Sequence, residues 1–65
     1  MYAVLKMEMF KAGITQQKVA GAMEKDRQSI HNKINGVTKW SLDEAEFIRK
    51  TFFPKLTLEY LFKKE

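Results

Sequence analysis

Arg27, Gln28, His31 and Asn32 are the residues whose types and spacing suggest chemistry. On an α-helix they fall within about 140° of arc, so they share one face. An arginine can give paired hydrogen bonds to guanine O6 and N7. Glutamine and asparagine can do the same with adenine N6 and N7. All four side chains are polar, and core packing explains none of them. They are candidates for reading base edges in a DNA major groove. His31 fits less sharply, because a single histidine on a polar face is ordinarily just solvated.

Other chemistry finds less support. One His and no Cys cannot supply a closed metal site. Asp43, Glu44 and Glu46 crowd one turn, but they follow Ser41 and read as helix-start charges rather than an acid/base pair. There is no Gly-rich phosphate loop and no nucleophile beside a base. We therefore expect no enzyme, no cofactor, no metal and no small-molecule substrate.

The polar face needs helices to hold it, and the hydrophobic pattern recurs near 3.6 residues throughout, which predicts an all-α fold. A first helix should run from about Tyr2 to Ala12 and end at Gly13. Its Met1, Met7 and Met9 read more readily as core filling than as a partner groove. Thr15 should cap a second helix over Gln16 to Met23, with Val19, Ala20 and Met23 inward. Asp26 is the cap expected for a third helix, with Ile30 and Ile34 inward and Asn35-Gly36 as its end. Ser41 and Glu44 form a capping box for a fourth helix that Pro54 stops. Leu42, Ala45, Ile48 and Phe52 are its expected inner stripe. Thr57 should cap a short last helix from Leu58 to about Lys63. Only Glu24 and Lys25 separate Met23 from Asp26, so the second and third helices meet at a tight turn and a large angle. Ala20 is small enough to let them approach.

Charge placement agrees with a polyanion partner. The net charge is +4 over 65 residues. Residues 11–39 hold six Lys and Arg against two acidic residues, and the rest of the chain cancels. Such a localised basic stripe attracts nucleic acid. The length admits one domain, residues 1–65, with the helix-turn-helix proper at about 16–35. No apolar run approaches the ~18 residues of a membrane span. The expectation is a cytoplasmic protein with no membrane partner.

The residues Gly13-Ile14-Thr15-Gln16-Gln17-Lys18-Val19-Ala20, then Arg27-Gln28-Ser29-Ile30, then Asn35-Gly36, resemble the Cro/CI-type helix-turn-helix family of phage and bacterial repressors. The stretch from Ser41-Leu42-Asp43-Glu44-Ala45 through Phe52-Phe53-Pro54 to Leu58-Glu59-Tyr60-Leu61-Phe62 is similar to small phage-related members from Gram-positive hosts. The resemblance implies a five-helix, lambda-repressor-like domain and a sequence-specific, double-stranded DNA-binding transcription regulator. It gives Gln16 a phosphate contact that also braces the first reading residue. It gives Arg27 and Gln28 base contacts, with Asn32 on the same edge one turn later, and Asn35 a phosphate contact. Lys25, Lys33, Thr38 and Lys39 are our added candidates for flanking phosphates.

Two departures from that family's pattern stand out. Glu24 occupies the turn position usually held by Gly, where positive φ strains other residues. Its carboxylate should point away from DNA. Met9 and Ile34 stand where many members pair an Arg with a Glu, so an apolar contact should replace the ion pair.

One such unit reads few base pairs, which implies a homodimer on a palindromic operator. Surplus apolar residues at Phe53, Leu58, Tyr60 and Phe62 are the candidate dimer surface. The competing reading is a helical protein-interaction module that kept the fold but not DNA binding. The exposed polar face and central basic charge favour the regulator.

Overall fold

The computed structural model describes residues 2–63. Five helices follow in chain order: α1 Ala3–Ala12, α2 Gln16–Met23, α3 Arg27–Ile34, α4 Leu42–Phe52 and α5 Leu58–Leu61. Met1, one of the expected core-filling methionines, and the terminal residues 64 and 65 lie outside the described residues.

Local chemistry accounts for most boundaries. Gly13 closes α1 at φ 71°, its N–H reaching back to Met9 and Phe10 carbonyls. The Thr15 hydroxyl accepts from the Lys18 N–H at 3.1 Å and opens α2. Ser41 and Glu44 form the reciprocal capping box at α4. Thr57 accepts from the Tyr60 N–H at 3.2 Å and starts α5. Asp26 departs from this pattern. Its backbone caps α3, but its carboxylate makes no capping bond and accepts the Ser29 hydroxyl instead. That bond, helped by Lys25, holds the Asp26 carboxyl below the usual carboxylate range.

Short helices are marginal alone, so the core must hold them. It is built from Tyr2, Leu5 and Met9, from Val19 and Ala20, from Ile30 and Ile34, and from Ile48, Phe53 and Leu61. Every helix contributes, either directly or at its end. The chain start is also tied in, because the Tyr2 N–H donates to the Ile34 carbonyl at 3.0 Å. Met9 and Ile34 are both buried in this one cluster.

Three expectations fail, two of them for the core and one for the dimer surface. Leu42 is 69% exposed, not part of the inner stripe of α4. Met9 is buried, but Met7 is exposed, so methionine filling covers only one side of α1. Phe53 is 7% exposed and inward, alongside a half-buried Phe52. Two consecutive residues share the core because α4 ends at Phe52. Phe53 leaves helical backbone (φ −134°, ψ 58°), and its side chain is buried in the core.

Candidate nucleic-acid interface

The geometry of α3 is set at the α2–α3 turn. Glu24 adopts the left-handed conformation at φ 57°. The Lys25 N–H then donates to the Ala20 carbonyl at 2.9 Å, and the turn closes. Val19 and Ala20 on one side, with Ile30 and Ile34 on the other, are buried between the helices. With Ile30 and Ile34 held inward, Gln28 and Asn32 lie opposite them and His31 lies on the flank, while Arg27, seven residues before Ile34, is exposed as the first residue of the helix.

The outer side of α3 carries the candidate reading residues together. Arg27, Gln28 and His31 are exposed, and Asn32 is half-buried. Gln16 from the start of α2 joins Arg27, Gln28 and His31 in lining one polar cleft. Gln28 Nε2 donates to Asn32 Oδ1 at 3.1 Å. This bond uses one donor and one acceptor, so each amide keeps groups for a base edge. His31 Nδ1 lies 3.3 Å from Gln16 Oε1, and His31 Nε2 lies 3.2 Å from Asn35 Nδ2. The Asn35 nitrogen also lies 3.4 Å from Nδ1, so it sits against the ring rather than on the Nε2 lone pair, and the Nδ1–Gln16 contact is the one an Nδ1–H tautomer fits. Asn35 Nδ2 also donates to the His31 carbonyl at 2.9 Å. His31 thus links Gln16 to Asn35, which gives it a bracing position as well as an exposed edge. Glu24 lies off this cleft, in a groove with Met23, Asp43 and Phe47.

The flanking lysines divide into two kinds. Lys39 and Thr38 are exposed in the loop before α4. Lys33 is not free to serve as a flanking phosphate contact, which corrects that expectation. Its Nζ donates to the Lys39 carbonyl at 3.0 Å and pairs with Glu44 Oε1 at 3.2 Å. It also lies 5.8 Å from the centre of the Trp40 ring. Lys25 pairs with the other Glu44 oxygen at 3.4 Å but keeps an exposed side.

Glu44 therefore joins the two lysines to the Ser41 N–H, which donates to Oε1 at 2.9 Å. Burial pushes its pKa up. The Ser41 N–H and the two ammoniums outweigh burial, and the carboxyl sits below the ordinary glutamate value. This organising role for Glu44 was not visible from its place in the capping box. Trp40, in the loop before α4 where it could brace that helix or touch the DNA backbone, packs edge-on to Phe62 with ring centres 5.6 Å apart.

The candidate dimer surface is largely absorbed by the fold. Phe53 belongs to the core. Phe62 is half-buried between Tyr2 and Trp40. Leu58 is half-buried, and only Tyr60 is exposed. The Tyr60 hydroxyl donates to Glu8 Oε2 at 2.7 Å, which ties α5 to α1. The resulting bond, with some burial, raises the Tyr60 pKa. These four residues do not form an open apolar patch.

Comparison with protein-family models, with curated proteins and with solved structures gives no match.

Proposed function

We propose that the protein is a sequence-specific double-stranded DNA-binding regulator of transcription, of the phage or prophage repressor kind, with α3 entering the major groove. One observation carries this reading. Arg27, Gln28 and His31 of α3 line a single polar cleft with Gln16 of α2, the two helices being joined by a tight turn. Arg27 and Gln28 stand at the N-terminal end of α3, the end that meets base edges in helix-turn-helix docking. The +4 charge concentrated in residues 11–39 supplies attraction to phosphate. Asn35, Thr38, Lys39 and the exposed side of Lys25 are the phosphate contacts, and Lys33 supports them from behind. The working place is the cytoplasm of a bacterial host. Two copies are expected per operator, because one short helix reads too few base pairs for a specific regulator.

The test is enrichment of random duplexes on the purified chain, repeated with Gln28→Ala and Asn32→Ala. The expected result is one enriched motif, with each variant losing ~1–3 kcal/mol and relaxing one or two positions. No enrichment, or a motif indifferent to both substitutions, would reject the reading and leave the protein-interaction module in its place.

A further inference from the structure

Phe10 is 87% exposed and Met7 is 47% exposed, on a helix whose other side is in the core. With Ala3 and Lys6 they line a shallow apolar depression on the outer face of α1. By helical spacing Lys6 and Lys11 flank that face on its two sides, with Lys11 also 3.9 Å from Glu8 on its own helix. A different apolar groove, of about 260 Å³, lies between α2 and α4, where Ala22, Met23 and Phe47 line it. Its rim is acidic, with Glu24, Asp43 and Glu44. Glu44 is engaged by Lys25 and Lys33, whereas Glu24 and Asp43 have no ion-pair partner among the described residues.

We propose that a second copy of this chain covers each surface. The Phe10–Met7 face of one copy seats in the Met23–Phe47 groove of the next, head to tail. Charge selects this arrangement over a symmetric one. A two-fold pairing of α1 with α1 would set the Lys6 edge against its own copy and the Lys11 edge likewise, and like charges that meet at an interface are costly. The head-to-tail contact instead brings Lys6 and Lys11 to Glu24 and Asp43. Met7 and Met23 supply side chains that adapt to an imperfect fit. A heterologous contact of this kind does not close as a dimer; it extends to rings or chains. The surfaces are small, so association is weak and sensitive to salt. Neither surface uses Arg27, Gln28, His31 or Asn32, so the α3 face stays open.

Analytical ultracentrifugation of the full chain, without DNA and at low ionic strength, tests the proposal separately from DNA reading. The mass should rise beyond a dimer as concentration increases to the millimolar range, and fall when salt is added. Phe10→Ala should be monomeric with an unchanged circular dichroism spectrum, since this side chain is exposed. A Glu24→Lys, Asp43→Lys double variant should also be monomeric. An equimolar mixture of the two variants should form a one-to-one dimer and nothing larger, because only one complementary pair of surfaces survives. A wild-type chain that stays monomeric throughout, an assembly unmoved by Phe10→Ala, or a variant mixture that stays monomeric would each overturn it.

Discussion

The ammonium of Lys33 lies 3.2 Å from the Glu44 carboxylate and is turned toward α4, not toward solvent beside the α3 face. Two lysines six residues apart, Lys33 and Lys39, thereby take opposite roles. Lys33 holds the Lys39 carbonyl and the start of α4, and so fixes the loop from which the Lys39 side chain projects.

Lys33→Ala should therefore act on stability, and Lys39→Ala on DNA. Removing Lys33 breaks a partly buried charged contact and should cost about 1–2 kcal/mol in urea unfolding. Lys39→Ala should leave unfolding unchanged, weaken all duplexes alike, and lower the salt slope by about one phosphate's share. Binding titrations over a salt series distinguish the two. If Lys33→Ala alone flattened the slope while stability held, the assignment would be reversed.

Caps and turns were legible in the sequence because their chemistry is local. Thr15, Ser41 and Thr57 each bond a backbone N–H three residues on. Part of the α3 face was legible for a related reason: once Ile30 and Ile34 are inward, Gln28 and Asn32 fall opposite them, whereas Arg27 shares the azimuth of Ile34 and is exposed at the first position of the helix. Leu42 falls outside the inner stripe because a spacing of three drifts by about 60° per step on a helix, which leaves it roughly 120° from Ile48. Phe53 could not be read from helical period at all, since it lies just beyond the helix. The engagement of Lys33 depends on Glu44, eleven residues on, and no local pattern announces a contact across a loop. On α1 the apolar residues lie on both faces, so periodicity could not say which of Met7 and Met9 would be inside.

Met9 and Ile34 lie together in the core, with Ile34 1% exposed and its carbonyl receiving the Tyr2 N–H. An apolar contact here is physically reasonable, because burying an ion pair often gains nothing over well-packed apolar side chains. Ile34→Ala and Met9→Ala should each destabilise by ~2–5 kcal/mol. Changes below half a kcal/mol in chemical denaturation would show that this corner of the core is loosely packed.

Glu24 holds φ 57° with a full side chain, a conformation that glycine adopts without penalty. Left-handed backbone costs a non-glycine residue ~1–2 kcal/mol, partly offset by the greater freedom glycine has when unfolded. Glu24→Gly should raise stability by about 0.5–1 kcal/mol and leave the α3 face unchanged. A lower thermal midpoint for the variant would mean that the glutamate makes a compensating contact.

Acid should loosen the α3–α4 joint through Glu44. Its folded pKa is depressed below the ordinary 4.5, because the Ser41 N–H, Lys33 and Lys25 outweigh the upward push of burial. A group depressed in this way binds its proton more readily when unfolded. Its stabilising contribution is complete above about pH 4.5 and is lost as pH falls through the lower folded value. The Asp26 carboxyl, held down by the Ser29 hydroxyl, adds a limb of the same sign. Glu44→Gln removes one of the two and leaves the other. Denaturation midpoints at pH 7 and pH 3 should thus differ less in Glu44→Gln than in the wild-type chain. The variant should also be weaker at pH 7, where it lacks both ion pairs. An acid loss identical in the two proteins would place the titrating stability elsewhere than at this carboxylate.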